Sequence, residues 1–276
     1  GTVLHNISEQ AKPKRQWLQP QCNRNSAAVL KPALGIKPLN NAKKLLLGMG
    51  KVRSGSAVLD KLLEGGYETD VITTVYGPAG SGKTTTCLLA AVSAATAKEN
   101  KDKKIVFIDT EGGFSTERLQ QLTGDEKEAR KTLEKIMLLK VTTFSEQKKA
   151  IETLAEQISS KIAIIICDTI SSLYRIERGE DNASLNRELG KQLSILLTIA
   201  RTKDIPVVVT TPVYADFSDK TKIKMVGGDI LKYSSKCLIE LKINGNSTRT
   251  AVLAKHRSIP GKEVTFRIKE KGFEEV

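Results

Sequence analysis

Gly77-Pro78-Ala79-Gly80-Ser81-Gly82-Lys83-Thr84 matches the pattern G-x-x-x-x-G-K-[ST] at every fixed position. In this pattern the glycines let backbone N–H groups turn towards phosphate oxygens, the lysine reaches the β- and γ-phosphates, and the last hydroxyl ligates Mg²⁺. Residues 71–76 before it are typical of a β-branched strand, and residues 84–98 after it are typical of a helix. A glycine-rich turn that matches by chance would not be expected to have this strand and helix around it. The sequence therefore predicts a site for ATP and Mg²⁺ made of Gly77, Pro78, Ala79, Gly80, Ser81, Gly82, Lys83, Thr84 and Thr85.

The composition bounds the class of protein. The 276 residues, 39% of them hydrophobic, suffice for one large α/β domain, or for one domain with a small appendage. No run approaches the ~20 apolar residues that span a bilayer, and we expect no secretory route and no membrane partner. The four cysteines form no C-x-x-C pair, so we expect neither structural zinc nor a disulfide framework. These features favour a cytoplasmic protein.

The distribution of charge divides the chain into two parts. The net charge is +13, and residues 1–48 hold eight basic side chains against one acid, Glu9. Four prolines interrupt this segment, which has little periodic apolar pattern. We therefore predict a basic, largely irregular arm over 1–48 and an ATPase core over 49–276. A basic arm is typical of a protein with a polyanionic partner, and equally of a solvated tail whose lysines aid solubility.

From residue 49 onward the apolar pattern alternates between strands and helices. Strands are predicted at 71–76, 104–109, 136–141, 162–167 and 206–210, and helices at 54–64 and near 84–98, 115–122, 146–159 and 185–203. Near the end, 237–243 and 248–254 flank a turn-forming segment and predict a hairpin, with a further antiparallel strand at 264–268. The sequence thus predicts an α/β fold with a mostly parallel central sheet flanked by helices and extended by a C-terminal antiparallel hairpin.

Two acids are placed where chemistry on ATP would need them. Asp168 ends a fully apolar strand, which is typical of the middle of a parallel sheet, so its carboxylate should lie beside the phosphate loop and hold Mg²⁺. Glu111 lies just past the strand at 104–109, from where it could orient or deprotonate a water that attacks the γ-phosphate. Taken alone, Asp168 also fits a simple strand cap, and Glu111 fits an exposed loop residue.

Several blocks, read in order, resemble the RecA/RadA recombinase family. They are residues 54–66, the phosphate loop, 107–119 and 167–175, while 250–260 and 266–268 are similar to the short archaeal paralogues of RadA. The resemblance spans 49–276 and implies a RecA-like P-loop ATPase core in which Glu111 and Lys83 are catalytic and Asp168 is the Walker B acid. It also implies that the Arg118 guanidinium stacks on adenine. From the residues alone, Arg118 fits equally a side chain that caps acidic neighbours on its helix.

The chain departs from the family pattern in two places. Recombinases end the next strand in Thr-Asn-Gln, where the Gln senses the γ-phosphate, but here Pro212 stands at the Gln position. Proline has neither a carboxamide nor a backbone donor, so we expect ATP binding to survive and DNA-stimulated hydrolysis to be weak. Residues 1–48 contain no phenylalanine, so the Phe-x-x-Ala segment that links recombinase subunits is missing from them. We therefore do not expect long active filaments.

Basic residues in three segments are candidates for DNA binding. Two segments match the DNA loops of the recombinase core, and the third is a basic triplet that leaves a predicted strand and could instead contact the ATP of a neighbouring subunit. The residues are Arg175 and Arg178, then Lys220, Lys222 and Lys224, and finally Lys255, His256 and Arg257.

Together these features predict an accessory protein of DNA repair and homologous recombination. It would bind ATP and DNA, single-stranded or branched, hydrolyse ATP weakly, and assist the main recombinase or other recombination proteins. Three alternatives stay open: a full strand-exchange recombinase, a RecA-fold signalling ATPase without a DNA role, related to circadian-clock-type ATPases, and a small-molecule kinase. The kinase reading lacks an evident acceptor pocket or lid sequence.

Overall fold

A nine-stranded sheet forms the centre of the protein. A computed structural model of the chain describes residues 50–158, 161–177, 179, 182–215, 223–245 and 247–276, and the predicted arm over 1–48 lies outside them. The strands are β1 (Lys51–Val52), β2 (Tyr67–Glu68), β3 (Ile72–Tyr76), β4 (Lys104–Asp109), β5 (Ile136–Lys140), β6 (Ile162–Asp168), β7 (Val207–Thr211), β8 (Val213–Ala215), β9 (Ile223–Met225), β10 (Cys237–Ile243), β11 (Thr248–Lys255), β12 (Glu263–Lys269) and β13 (Gly272–Glu275). The helices are α1 (Ala57–Leu62), α2 (Lys83–Thr96), α3 (Thr116–Thr123), α4 (Glu126–Lys135), α5 (Phe144–Gln157), α6 (Ser172–Ile176), α7 (Asn182–Lys203) and α8 (Gly228–Ser234).

The order of strands in the main sheet is β13-β12-β11-β10-β3-β7-β6-β4-β5. The six strands from β10 to β5 run parallel, and β11, β12 and β13 continue the sheet in antiparallel pairs. The strand β6 lies inside the parallel part and all seven of its residues are buried, which is the pattern of a strand covered on both faces. β1 with β2, and β8 with β9, form two further two-stranded ribbons.

Helices cover both faces of the sheet. On one face α1 to α4 pack against the strands, with Leu59 and Leu88 fully buried in that core. On the other face α5 to α8 pack, with Ile151 and Leu193 fully buried. Two layers of helix on one sheet leave the loops at the strand ends as the open surface on which a site can form.

The predicted fold class is confirmed, and each predicted strand or helix lies within about three residues of an observed one. The sequence does not predict α4, because this helix is mostly charged and buries only Ala129 and Thr132. It also does not predict β13, which has four residues and pairs only with β12. The antiparallel part of the sheet therefore runs from β10, which also pairs in parallel with β3, to β13, and it contains one strand more than the three predicted. Cys87 in α2 and Cys167 in β6 are buried free cysteines.

Within the described residues, no helix is long and apolar enough to cross a membrane.

The C-terminal strands are part of the main core, and one substitution tests this. Phe266 on β12 is fully buried, and its ring centroid lies 4.4 Å from that of Phe273. We predict that Phe266→Ala lowers the free energy of unfolding by about 3–5 kcal/mol, because truncation of a buried aromatic ring leaves a cavity. Urea denaturation measures the change. The control is Tyr233→Ala on α8, where the side chain is 75% exposed and a change of no more than about 0.5 kcal/mol is expected. A loss below about 1 kcal/mol for Phe266→Ala would show that these strands are not part of the core.

Candidate functional site

The segments that follow β3, β7, β6 and β4 meet at one edge of the sheet, because these strands are parallel neighbours. The register places Asp109 beside Asp168 and Tyr76 beside Thr211 at the carboxyl ends. Ligands of open α/β sheets bind outside this edge. The structure therefore brings the phosphate loop, Glu111 and Asp168 together, as the sequence predicted.

The phosphate loop needs its glycines for two different reasons. A Cβ at Gly77 would lie 2.4 Å from the Leu241 carbonyl oxygen, so the backbone of β10 excludes a side chain there. Gly82 has φ of 107° and precedes α2, and Gly80 has φ of 75°. A Cβ at Gly80 would meet no atom within 4 Å, so this part of the loop faces open space. The loop is thus fixed by the sheet on one side and open on the other.

Two polar groups in the loop are suited to an anionic ligand. In the part of the chain that the structure describes, the buried Ser81 hydroxyl has no hydrogen-bond partner. The Lys83 ammonium donates to the carbonyl oxygens of Gly77 and Pro78, each at 2.9 Å. Burial lowers the pKa of Lys83, whereas the nearby carboxylates of Asp168 and Glu111 act in the opposite direction. A cation partly removed from water and an unpaired buried hydroxyl both gain from a phosphate oxygen, so the loop residues fit a nucleotide.

Asp168 is the buried acid of the site. Its exposed fraction is 2%, and it accepts hydrogen bonds from the Thr210 and Thr84 hydroxyls. Burial raises the pKa of this carboxyl, and the two hydrogen bonds partly offset the rise. A Cβ at Gly113 would lie 3.4 Å from Thr84 Oγ1 and 3.7 Å from Asp168 Oδ2, so only glycine leaves this side of the pair open. The pair fits Mg²⁺, which prefers oxygen ligands and keeps waters and phosphate oxygens as its others.

The described residues contain no cluster of three or more His, Cys, Asp or Glu side chains that could hold a metal ion. A magnesium ion at Thr84 and Asp168 would therefore take its remaining ligands from phosphate or water.

Glu111 lies in a loop whose backbone is held by Asp109. Asp109 Oδ1 accepts from the backbone N–H groups of Glu111 and Gly113 at 3.3 and 3.1 Å, and Oδ2 accepts from Phe114 N–H at 3.1 Å. The Glu111 residue is exposed, and its carboxylate accepts a short hydrogen bond from the Ser172 hydroxyl. The predicted catalytic acid is therefore both accessible and fixed in place.

Arg118 contacts the C-terminal strands. Its guanidinium donates to the carbonyl oxygens of Lys269 and Glu270 at 2.7 and 3.0 Å, and to Gln121 Oε1 at 2.7 Å. No acidic side chain is among these partners, so the alternative that Arg118 caps acidic neighbours is not what the described contacts show. The turn that it holds joins β12 to β13, and Phe273 on β13 comes within 3.3 Å of the position of a Gly82 Cβ. Stacking of Arg118 on adenine stays a prediction.

Pro212 lies between β7 and β8, next to the site. Its carbonyl oxygen accepts from Val226 N–H at 3.0 Å, and Thr211 Oγ1 donates to Val226 O at 2.8 Å. The position that carries a carboxamide side chain in recombinases is thus a proline here. Its backbone carbonyl is hydrogen-bonded to Val226, the residue after β9. Thr210, two residues earlier, donates to Asp168 instead.

The residues predicted to bind DNA fall into three groups. Arg175 is exposed in α6, and Lys224 is exposed in β9 opposite Tyr214. Both follow the carboxyl ends of the parallel strands and lie on the side of the sheet edge that carries the phosphate loop. Arg178, Lys220 and Lys222 lie outside the described residues. Their binding to DNA stays a prediction.

The basic triplet begins at the end of β11, and its side chains have partners within the chain. Lys255 pairs with Leu238, which pairs with Thr74 in the middle of β3, and it lines the same groove as Lys224. Arg257 lies further along, beside Glu68 and Asp70, which precede β3. Lys255 Nζ donates to two carbonyl oxygens near the end of α8, at 2.6 and 2.8 Å. To bind a phosphate, this ammonium would have to leave them.

The other two residues of the triplet bind acids. Arg257 pairs with Glu68 at 2.7 Å and with Asp70 at 3.1 Å. The His256 side chain is 1% exposed, and its Nδ1 accepts from the N–H of Ile259 at 3.1 Å. Burial lowers the pKa of His256, and the Glu68 carboxylate opposes that shift. These contacts give the triplet a structural role that the sequence did not suggest, and DNA binding by it stays a prediction.

Four residues of the site were missed by the sequence analysis. The role of Asp109 could have been predicted, because an acid between a buried strand and a glycine-rich turn commonly accepts hydrogen bonds from the backbone of that turn. Ser172 and Thr210 give no signal of their own, since hydroxyl residues are common beside strand ends. Arg249 Nε donates to Gly80 O at 3.1 Å across 169 residues of chain, which no local pattern can indicate.

A separate groove of about 700 Å³ lies against β5 and α5, at the edge of the sheet. Its apolar lining includes Met137, Leu139 and Leu154. None of the predicted site residues lines it, and it is four strands away from β3.

Comparisons with known proteins place this geometry in one family. A family model described as Rad51 matches residues 47–276. "DNA repair and recombination protein RadB" of Methanobrevibacter smithii is 39% identical over 229 residues, which cover 80% of this chain and 94% of that protein. The protein of the same name from Methanococcus maripaludis (strain C7) is 40% identical over 221 residues, covering 79% of this chain and 97% of that protein.

A solved structure described as "Crystal structure of the RadB recombinase" is similar in fold, with a TM-score of 0.69 and 37% sequence identity. The alignment covers 82% of this chain and 99% of that one. The residues matched by the family model include the phosphate loop, Glu111, Asp168 and Pro212.

Proposed function

The chain belongs to the Rad51 family, in its archaeal RadB branch, and from that premise we propose that it is an accessory protein of DNA repair and homologous recombination. It binds ATP with Mg²⁺ and binds DNA, hydrolyses ATP weakly, and does not exchange strands itself. Its partners are single-stranded or branched DNA and the main recombinase or other recombination proteins. The observation that carries the proposal is the convergence of Lys83, Asp168 and Glu111 at one sheet edge.

Each residue of the site has a separate task in this proposal. Lys83 exchanges its two loop carbonyls for the β- and γ-phosphates, and the Ser81 hydroxyl gains a phosphate oxygen as its partner. Thr84 and Asp168 hold Mg²⁺, which when bound neutralises charge on the phosphate oxygens. Glu111 orients or deprotonates the water that attacks the γ-phosphate.

Pro212 is the reason to expect weak hydrolysis that DNA does not stimulate. A sensor of the γ-phosphate must donate a hydrogen bond to it, and proline has no donor. The Pro212 carbonyl is already bonded to Val226 at the base of the β8–β9 ribbon. Pro212 joins the end of β7 to the β8–β9 ribbon, which carries Lys224. This connection therefore has no side chain that could sense the γ-phosphate and pass the signal to the ribbon.

DNA binding is supported by charge and by position. Arg175 and Lys224 are exposed cations on elements that follow the carboxyl ends of the parallel strands, and basic residues at 178, 220 and 222 belong to the same two segments. Cations that follow a backbone without base contacts give binding with little sequence preference and a strong dependence on salt.

The first prediction concerns ATP. Lys83→Ala should weaken ATP binding about 30-fold or more, because each charge-assisted hydrogen bond to a phosphate contributes about 1.5–3 kcal/mol. Isothermal titration calorimetry with ATP and Mg²⁺ measures it. The control is Lys135→Ala, whose ammonium donates to the carbonyl oxygen of Ala95 at 2.6 Å, away from the loop, and which should leave ATP affinity unchanged. If Lys83→Ala and the unsubstituted chain bound ATP with equal affinity, the assignment of this loop as the ATP site would be wrong.

The second prediction concerns stimulation by DNA. Saturating single-stranded DNA should change the rate of phosphate release by less than about twofold, because Pro212 provides no donor to the γ-phosphate. A matched pair of variants tests the cause. Pro212→Gln should gain stimulation, whereas Pro212→Ala, which restores the N–H without the carboxamide, should not. Severalfold stimulation of the unsubstituted chain would favour a full strand-exchange recombinase instead.

The third prediction concerns the DNA surface. The dissociation constant for single-stranded DNA should rise with salt, and removal of Arg175 or Lys224 by alanine should lower the log–log slope by about 0.7 each. Fluorescence anisotropy over a salt series measures the slopes, and Lys127→Ala on α4 is the control for loss of an exposed lysine. Lys255→Ala tests the basic triplet, since weaker DNA binding at an unchanged melting temperature would assign it to the DNA surface. Absence of binding at low salt would favour the signalling ATPase.

A further inference from the structure

A chain of hydroxyl groups ends on the carboxylate of Glu111. Thr169 Oγ1 lies 2.6 Å from Ser172 Oγ, and Ser172 Oγ makes a short hydrogen bond to Glu111 Oε1. Ser172 N–H in turn lies 3.2 Å from Thr169 Oγ1. Thr169 is fully buried and Ser172 is 6% exposed, so water competes little for these bonds.

Chemistry fixes the direction of the hydrogen bonds between Thr169, Ser172 and Glu111. An ionised carboxylate can only accept, so the Ser172 hydroxyl must donate to Glu111. The Thr169 hydroxyl must then donate to Ser172, while it accepts from the Ser172 backbone N–H. Successive donors that point the same way strengthen one another. Glu111 Oε1 therefore accepts a hydrogen bond from one well-defined donor, the Ser172 hydroxyl.

Glu111 is held at both of its ends. Its backbone N–H donates to Asp109, and its carboxylate accepts from Ser172. Among the described residues, Thr169 Oγ1 also lies 3.5 Å from the same carboxylate oxygen, so both hydroxyls approach Oε1 rather than Oε2. A long side chain on an exposed residue would otherwise sample several rotamers.

The segment that carries the two hydroxyls is itself fixed by neighbours. Thr169 N–H donates to Thr110 Oγ1 at 2.8 Å, and Ile170 N–H donates to Thr210 O at 3.0 Å. The Ile170 carbonyl accepts from the Gln147 side chain of α5 at 3.0 Å. The residue after β4, strand β7 and helix α5 thus hold this segment from three sides, so Ser172 has little freedom to move away from Glu111.

From this geometry we propose that Ser172, supported by Thr169, is a positioning residue for hydrolysis: its hydroxyl fixes Glu111 Oε1 and so aims Oε2 at the attacking water. The inference rests on the proposed function, because it takes Glu111 as the group that orients or deprotonates that water. In this role Ser172 acts through Glu111 and not through the nucleotide. Its effect is on the turnover number and not on ATP affinity, because a small misplacement of a catalytic group lowers the rate without changing substrate binding.

The test compares five full-length proteins: the unsubstituted chain, Ser172→Ala, Ser172→Thr, Ser171→Ala and Glu111→Gln. Ser171 is the matched control, because it is a buried serine next in sequence whose hydroxyl pairs with Thr211 Oγ1 at 2.6 Å instead of with Glu111. Phosphate release gives kcat and KM, calorimetry gives the Kd for ATP, and a thermal melt checks the fold of each protein.

We expect Ser172→Ala to lower kcat about 10-fold while the Kd for ATP and KM stay within about twofold. Ser172→Thr, which keeps the hydroxyl, should recover at least half of the activity, and Ser171→Ala should stay within about twofold of the unsubstituted chain. The proposal is overturned if Ser172→Ala turns over as fast as the unsubstituted chain or faster. It is also overturned if ATP affinity falls as much as kcat, or if Ser171→Ala loses as much activity, since both would indicate a merely structural role.

Glu111→Gln separates this inference from the proposed function. If the unsubstituted chain releases no more phosphate than Glu111→Gln, the proposed hydrolysis is wrong and the role of Ser172 is wrong with it. If Glu111→Gln is inactive and Ser172→Ala is not impaired, only the role of Ser172 is wrong.

Discussion

The buried carboxylate of Asp168 is the constraint on which the site depends. The apolar strand β6 carries this acid out of water to the end of the sheet, and burial raises its pKa. Hydroxyl groups of Thr210 and Thr84 offset part of the cost of burying the charge, and a bound cation would offset more. The fold thus places an acid where a positive charge is favourable, directly beside a loop suited to phosphate. Burying this carboxylate lowers the stability of the folded protein, and a cation that binds beside it would raise that stability again.

The rest of the site is connected to that point by hydrogen bonds between neighbouring strand ends. Asp109, next to Asp168 in the sheet, holds the backbone of the loop that carries Glu111. The C-terminal strands also reach the phosphate loop, because Arg249 donates to the Gly80 carbonyl and Phe273 lies close to Gly82. A nucleotide that moves the loop would therefore change contacts with the antiparallel strands as well as with the parallel part of the sheet.

Much of this could be read from the sequence, and the part that could not has a physical reason. The phosphate loop, the apolar β6 and the alternation of strands and helices are local patterns, so they predicted the fold and brought Lys83, Glu111 and Asp168 to one edge. Arg118 contacts Lys269 and Glu270, and Arg257 contacts Glu68 and Asp70, each more than 150 positions away in the chain, so no local pattern contains these contacts. The sequence therefore shows the triplet only as a cluster of basic residues, and the ion pairs of Arg257 with acids of β2 and the turn after it become visible only in the fold.

We propose that the carboxyl ends of β3, β4 and β6 form a site for ATP and Mg²⁺. A crystal structure of the chain with Mg²⁺ and a non-hydrolysable ATP analogue tests it most directly. We expect the Lys83 ammonium to leave the carbonyl oxygens of Gly77 and Pro78 for the β- and γ-phosphates, with the metal ion next to Thr84 and Asp168. An analogue bound elsewhere on the protein, or bound at the loop while Lys83 still donates to those carbonyls, would contradict it.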